Sequence, residues 1–231
     1  MSLYQNLIAY YKMNEPSGTR EDSHGNYTMV ESGAFPIASS GGHFVDGVDF
    51  STATSGNMVV PNQDFIDPTK NFTIGFWSKV NDSGYLIISW KSLPSRGINL
   101  ELSSGFLILN GYGASPSVTW WQHPVGTWDD SYIMLTYNAS TQKAELWFDG
   151  VKVIEDFSFT FDAPTGLPLQ IGGYNIGPST ILDGVIDELA IWNRTLTDAE
   201  ALQMYNDGAG LQYEKISQNQ PIFKITNRGI V

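Results

Sequence analysis

Short runs of alternating apolar and polar residues recur along the chain, separated by glycine, proline and asparagine. In "FTIGFW", residues 72–77, apolar side chains occupy every second position, as expected of a β-strand with one face in a core. Similar runs follow in "YLIISW", "FLILN" and "YIMLTYN". In "AELWFDGVKVIEDF", Asp149 and Gly150 separate two such runs and predict a tight hairpin, because Asp-Gly tolerates positive φ angles. The pattern predicts an all-β fold.

One segment carries the signals of a helix, in "LTDAEALQMYNDG" near the end of the patterned region. Thr197 is followed three residues later by Glu200, which predicts a capping box at the helix N-terminus. Gly208 is predicted to follow the last turn as the residue that ends the helix. Leu202 and Tyr205 are predicted to share the face that packs against the β-structure.

Composition narrows the choice of fold and partner. A chain of 231 residues suits one large β-sandwich, and the absence of cysteine excludes disulfides and thiolate metal sites. Twelve Lys and Arg face twenty-four Asp and Glu, a formal net charge of -12. Because nucleic acids and anionic membranes require basic surfaces, we expect neither as a partner, whereas cations and neutral glycans remain acceptable.

The first fifteen residues, "MSLYQNLIAYYKMNE", contain neither a basic region nor an unbroken apolar run. We therefore expect no classical export signal, and no later run approaches the length of a transmembrane helix. A protein that functions on a virion or extracellular surface would then leave the cell without such a signal. The alternative is a cytoplasmic protein.

Four segments, taken in order, resemble the laminin-G-like jelly rolls of the concanavalin A-like lectin and glucanase superfamily. They are "LIAYYKMNEPSGTREDSHGN", "FTIGFWSKV", "YIMLTYNASTQKAELWFDGVKV" and "LQIGGYN…LDGVIDELAIWNRTLTDAEALQMYNDG". The resemblance covers about residues 6–208. It implies a β-sandwich of two antiparallel sheets with one short C-terminal helix, occupying residues 1–210, followed by a tail at 211–231.

The same resemblance implies a structural calcium ion. By position, Asp22 of the first acidic loop and Asp187 of the closing strand would meet at the ion, with Glu15 as a weaker addition. Carboxylates and loop carbonyls suit calcium. The residues also allow another interpretation, in which Asp22 forms an Asx turn with Ser23 and Asp187 accepts backbone hydrogen bonds. Alternation places Glu188 on the opposite face from Asp187, towards solvent.

Catalysis by a glycosidase of this superfamily would need paired acids on one face of a strand. In "GVIDELAIW", the positions on the face of Asp187 also include Val185 and Leu189, so two of three acids are missing. The three histidines are scattered, and no nucleophile elbow or phosphate-binding loop is present. We expect a protein that is not an enzyme.

Glycan binding is the third possibility, because sugar rings pack on exposed aromatic side chains beside polar groups. Two aromatic segments, "TWWQHPVGTW" and "GGYN", supply the candidates Trp120, Trp121, Trp128, Tyr174 and Asn175. In the alternative, most of these tryptophans are in the core, and alternation buries one of Trp120 and Trp121 in any case.

The last residues change in character to a polar stretch followed by an apolar patch at Ile222, Phe223 and Ile225. This tail is either loose or an arm that docks on another chain. We expect a binding or structural module, with a virion surface protein as the first hypothesis and other virion or surface chains, and glycans, as its partners. The alternatives are a lectin outside a virion and a divergent glycoside hydrolase.

Overall fold

The computed structural model describes most of the sandwich and one helix. The described residues are 2–25, 27–34, 38–39, 41–51, 55–61, 64–91, 96–113, 118–126, 128–162, 167–174 and 181–214. Among them, no helix has the length and apolarity needed to span a membrane.

Fifteen strands and one α-helix are assigned within these residues. The strands are β1 (Leu7–Tyr11), β2 (Val30–Ala34), β3 (Ala38–Ser39), β4 (Val48–Asp49), β5 (Ser55–Val60), β6 (Phe72–Val80), β7 (Gly84–Lys91), β8 (Arg96–Ser103), β9 (Phe106–Tyr112), β10 (Val118–Pro124), β11 (Trp128–Asn138), β12 (Lys143–Phe148), β13 (Val151–Ser158), β14 (Leu169–Ile171) and β15 (Gly184–Trp192). The helix α1 covers Asp198–Tyr205, and a short 3-10 turn follows at Asn206–Gly208.

The strands form two antiparallel sheets. The first sheet has the order β13-β12-β11-β6-β15-β4-β3, and β1 also pairs with β15. The second sheet has the order β10-β9-β8-β7-β14-β5-β2. The predicted Asp149-Gly150 hairpin joins β12 and β13, with φ angles of 50° and 74° at the two residues. The sequence-based prediction of an all-β sandwich with one short C-terminal helix is confirmed.

The core lies between the sheets and follows the alternation of the strands. Leu100 and Leu102 of β8 and Leu107 and Leu109 of β9 are buried in it, while the intervening residues lie on the other face of the second sheet. Burial of apolar surface at about 25 cal/mol per Å² makes this packing the main stabilising contribution. Alternation therefore separates the inner from the outer face in these two strands.

The outer face of the first sheet is covered by a second apolar cluster, which we call the outer cluster. Its buried residues are Leu3, Leu7, Tyr10, Trp77, Tyr132, Met134, Trp147, Ala190, Trp192, Leu196, Ala201, Met204 and Leu211. Helix α1, the N-terminal residues and the segment after the helix supply the cover. This sheet thus has no open outer face in that region.

Helix α1 begins with the predicted capping box. The Thr197 side chain accepts from the Glu200 backbone N–H, and Glu200 accepts from the Thr197 backbone. The prediction for the other end was wrong, because Asn206 with φ of 49°, and not Gly208, is the C-cap. The predicted packing face was also wrong in part: Leu202 is 55% exposed, whereas Met204 is buried.

The packed structure extends past Gly210. Leu211 is buried in the outer cluster, Tyr213 packs beside Tyr10 at a ring distance of 5.2 Å, and Glu214 forms an ion pair with Lys12. The start of the predicted tail at residue 211 therefore belongs to the sandwich through residue 214.

Candidate functional site

On the outer side of the second sheet, a row of mostly polar residues runs across the strands, and its amides Asn99, Asn110 and Gln170 are buried. In register, Trp120 of β10 lies opposite Asn110 of β9, which lies opposite Asn99 of β8. The row continues through Ile88 of β7 to Gln170 of β14. Since neighbouring strands are about 4.8 Å apart, these five strands give a line about 19 Å long. We call this surface the amide face.

Hydrogen bonds fix the side chains of the amide face to one another. Nδ2 of Asn110 donates to Oδ1 of Asn99 at 2.8 Å and lies 3.3 Å from Oε1 of Glu101. Tyr85 donates to Glu101, and Tyr112 is hydrogen-bonded to Asn99. The network is held on rigid strands, which is the setting in which polar groups can be preorganised for a ligand.

Partial burial shifts the proton equilibria of this network. Burial raises the pKa of Glu101 above its ordinary value, and the hydrogen bonds from Tyr85 and Asn110 oppose that rise. Burial and the neighbouring Glu101 raise the pKa of Tyr85 to about 12. Burial, then Glu101, also raises the pKa of Tyr112. Both phenols therefore remain protonated at neutral pH and can act as donors.

A second pair of amides lies towards the other end of the same face. Nδ2 of Asn57 donates to Oε1 of Gln170 at 2.7 Å and to the Gly173 carbonyl oxygen at 2.9 Å. Asn57 is fully buried, and its Oδ1 atom has no hydrogen-bond partner among the described residues. Buried unsatisfied acceptors are uncommon, and they often accept from water or from a ligand.

The tryptophans predicted to bind sugar separate into two groups. Trp120 is 58% exposed at the end of the amide face. Trp121 points to the other side of β10 and packs against the core, and Trp128 is only 8% exposed within it. Trp128 is therefore corrected to a core role, whereas the half-buried Trp121 offers less open surface than Trp120. Tyr174 is half-buried, and Asn175 lies outside the described residues.

Sequence reasoning missed the polar members of this face. Asn99, Glu101, Asn110 and Gln170 each alternate with apolar residues along their strands. That pattern indicates only that they point away from the core. Nothing in the pattern shows that the strands bring them beside one another, because strand order is a long-range property.

The two adjacent acids of β15 lie on the outer side of the first sheet. A bulge separates Asp187, which pairs with Trp77, from Ala190, which pairs with Gly75, and Glu188 has a φ angle of 52°. The extra residue turns Glu188 towards the outer cluster as well. The prediction that Glu188 faces solvent on the opposite side from Asp187 was therefore wrong, and Glu188 is only 6% exposed.

Asp187 is enclosed by backbone donors. Oδ2 accepts from the N–H groups of His43 at 2.8 Å and Phe44 at 3.4 Å, and Oδ1 accepts from the Glu188 N–H at 2.8 Å. Burial raises the pKa of Asp187 to about 7, and these hydrogen bonds oppose the rise. The His43 ring stacks on Trp77 at 3.5 Å, and its Nδ1 lies 2.9 Å from Oδ2 of Asp130. Asp187 thus anchors the 43–44 loop.

Glu188 accepts a hydrogen bond from the Tyr10 hydroxyl. Burial raises the pKa of Glu188 to about 8, the charge of Asp187 adds to the rise, and the Tyr10 hydrogen bond opposes it. A small pocket of about 210 Å³ opens beside this carboxyl group. Its lining residues are Lys12, Asn14, Phe44, Val45, Asp46, Glu188, Gln212 and Glu214.

The residues predicted to hold calcium engage separate partners. Oδ1 of Asp22 accepts from the N–H groups of Tyr10 and His24, each at 2.9 Å, as in an Asx turn. Glu15 accepts from the Glu21 N–H at 2.8 Å. Among the described residues, no group of three or more His, Cys, Asp or Glu is arranged to hold a metal ion.

N–H donors point at the oxygens of both Asp22 and Asp187, where a cation would have to bind. This geometry does not fit a calcium ion shared by the two aspartates. Calcium binding stays a prediction from the resemblance. Ile222, Phe223 and Ile225, the predicted docking residues of the tail, lie outside the described residues, and that prediction also stays as it was.

Comparison with known families gives one match over residues 51–201, to a laminin G family model described as the concanavalin A-like lectin/glucanases superfamily. The match covers more than half of the chain. The chain belongs to this family. Comparison with curated proteins finds no significant match.

Solved structures share the fold of this laminin G-like domain. The binding domain of Paraclostridial Mosquitocidal Protein 1 is 14% identical with a TM-score of 0.70, and the match covers 89% of this chain and 53% of that one. Trypanosoma rangeli sialidase in complex with sialic acid is 16% identical with a TM-score of 0.65, and the match covers 90% of this chain and 34% of that one. The laminin G-like domain thus spans about half of the toxin binding domain.

A third structure is similar over nearly its whole length. Domain 4 of AbnA, an extracellular arabinanase of Geobacillus stearothermophilus, in complex with arabinotriose, is 18% identical with a TM-score of 0.66. The match covers 89% of this chain and 98% of that chain. At these identities the likeness shows the fold, a lectin-like sandwich.

Proposed function

We propose that this laminin G-like domain is a non-enzymatic binding module that holds a glycan on its amide face. The observation that carries the proposal is the hydrogen-bonded network of Asn99, Glu101 and Asn110 beside the exposed ring of Trp120. Sugars present apolar C–H faces and rows of hydroxyl groups. An exposed indole next to fixed amides and a carboxylate is complementary to both features.

The exposed end of the row defines where a ligand can make contact. Trp120 is exposed and Glu101 is half-buried, whereas Asn99, Asn110 and Gln170 are buried. A glycan would therefore stack on the Trp120 ring and hydrogen-bond to Glu101, while the buried amides hold these strands and side chains in place. One similar structure, the AbnA domain, contains arabinotriose. This observation agrees with the proposal.

The distribution of acids supports a binding role over hydrolysis. Glycosidases flank the scissile bond with two carboxyl groups, about 5 to 9.5 Å apart. Among the described side chains of the amide face, Glu101 alone carries a carboxyl group. The adjacent acids Asp187 and Glu188 lie on the outer side of the other sheet, covered by the outer cluster.

Glycan-array binding followed by calorimetry tests this proposal. Trp120→Ala should weaken binding roughly tenfold or more, since an aromatic anchor carries much of the binding energy in recognition sites. Leu202→Ala is the matched control, because it removes an exposed apolar side chain on α1 far from the amide face. Equal affinities for the three proteins, or release of reducing ends from a bound polysaccharide, would contradict the proposal.

The virion surface location predicted from the sequence remains a prediction. The residues predicted to attach the module to other chains, Ile222, Phe223 and Ile225, lie outside the described residues. Comparison of full-length and tail-deleted protein for incorporation into particles would test it directly.

A further inference from the structure

Glu101 occupies the middle of the amide face. It lies opposite Tyr85 of β7 on one side and opposite Ile108 of β9 on the other. Tyr85 donates to its carboxylate, and Asn110 Nδ2 lies 3.3 Å from Oε1. These contacts hold the carboxyl group in place, so it cannot swing away from an incoming ligand as a free surface side chain would.

Of the side chains described around Glu101, none carries a compensating positive charge. Among the side chains that the structure describes on this face, the other members are amides, hydroxyls and apolar groups: Asn57, Val59, Tyr85, Asn99, Ser103, Phe106, Ile108, Asn110, Tyr112, Trp120, Gln122 and Gln170. The rise in the pKa of Glu101 by burial agrees with this, because an adjacent cation would lower it. The net charge of -12 adds to the negative potential.

We propose that Glu101 makes the amide face selective for neutral sugar chains and rejects chains that carry carboxylate or sulfate groups. This inference rests on the proposed glycan-binding function. A neutral sugar can donate its hydroxyl protons to the carboxylate. An anionic sugar brought to the same position meets a fixed like charge in a partly desolvated setting, where repulsion is stronger than in bulk water. Repulsion of the wrong ligand is a general route to specificity.

The test compares matched neutral and anionic ligands. A glycan array would carry neutral oligosaccharides together with their uronic acid and sulfated counterparts of equal length. Galacto-oligosaccharides and oligogalacturonides form one such pair. For the pair bound best, wild-type protein should bind the neutral member at least tenfold more tightly than the anionic one at low ionic strength. Raising the salt concentration should narrow the difference, because salt screens partly exposed charges.

Substitutions then assign the effect to Glu101. Glu101→Gln should strengthen binding of the anionic ligand about tenfold relative to binding of the neutral ligand, because the amide removes the charge while its oxygen can still accept from Tyr85. Glu101→Asp should retain the discrimination. Glu155→Gln, at an exposed position of β13 in the other sheet, is the control for net charge and should retain it too. Circular dichroism melting checks that all variants fold.

The outcomes separate this inference from the proposed function. Wild-type protein that binds anionic glycans as tightly as neutral ones overturns the selectivity and leaves glycan binding standing. If Glu101→Gln prefers neutral over anionic glycans as strongly as the wild-type protein does, Glu101 is not the source of the selectivity. If no glycan binds, the proposed function itself is overturned, and this inference with it.

Discussion

The hydroxyl of Tyr10 donates a hydrogen bond to the carboxyl group of Glu188, joining residues 178 positions apart in the chain inside the outer cluster. The same hydroxyl lies 3.3 Å from the Leu211 carbonyl oxygen. Three segments, the first strand, the bulged closing strand and the segment after α1, therefore meet at one phenol. The buried acid at this junction makes the stability of the sandwich depend on pH.

The contribution of Glu188 and Asp187 to the free energy of unfolding should fall as the pH rises from about 4 to about 8. In the folded protein burial raises the pKa of Glu188 to about 8 and that of Asp187 to about 7. The unfolded chain loses these protons near pH 4, so between these values the folded protein binds more protons than the unfolded one. The contribution of protonated Glu188 to the free energy of unfolding is fully present below pH 4 and is lost above pH 8.

Glu188→Gln tests this directly by urea unfolding at several pH values. The stability of the variant relative to wild type should increase by roughly 3–5 kcal/mol between pH 4 and pH 9, because the amide cannot ionise. Glu155→Gln removes the same charge from an exposed position and should show no such trend. A pH-independent difference for Glu188→Gln would contradict the assignment.

Asp187→Ala should destabilise the sandwich by about 2–4 kcal/mol, because three backbone N–H groups lose their acceptor. Thermal unfolding with added calcium and with a chelator gives the measurement. The loss of stability caused by Asp187→Ala should be the same with added calcium as with the chelator. A calcium-dependent melting temperature that disappears in this variant would instead support the calcium site predicted from the sequence.

The C-terminal limit of the folded unit should lie after residue 214 and not after Gly210. A chain ending at Gly210 loses the buried Leu211, which is 2% exposed, together with the Tyr213 ring and the Lys12–Glu214 ion pair. It should be about 2–4 kcal/mol less stable than a chain ending at Glu214. Leu211→Ala in the longer chain is the matched control and should account for most of the loss. Equal stability of the two chains would place the boundary at Gly210.

Glu200 should contribute more to the free energy of unfolding than an ordinary helix-capping residue does. It accepts from the Thr197 N–H at 2.9 Å and from both terminal nitrogens of Arg194 at 2.8 Å, while itself buried. Glu200→Ala leaves Arg194 without this partner and should cost about 3 kcal/mol in urea unfolding. Glu200→Gln retains the capping acceptor and should cost less. Identical losses of stability for the two variants would show that the Arg194–Glu200 ion pair does not stabilise the protein.

The local features of the chain were predictable because they depend on neighbours in sequence. Alternation identified the strands and their inner faces, Asp149-Gly150 identified the hairpin, and Thr197 with Glu200 identified the start of the helix. Each signal reflects backbone preferences or a period of two residues, which act within a few positions. The family resemblance extended these to the two-sheet sandwich.

The same local rule failed at Glu188. Strict alternation places it opposite Asp187, but the bulge between Asp187 and Ala190 turns both acids to one side. A bulge depends on the partner strand and on what covers the sheet, here Tyr10 and the 43–44 loop. The residues of "GVIDELAIW" alone do not predict contacts with those distant segments.

The sequence by itself determined the fold class, the inner faces of the strands and the exclusion of disulfides and thiolate metal sites. Only the tertiary structure decided which polar residues lie together. Asn110 and Asn99 meet because β8 and β9 pair in one register, and Trp120 joins them because β10 is added at the sheet edge. Strand pairing is set by burial of the whole core, so a surface site built across strands exists only once that core has formed.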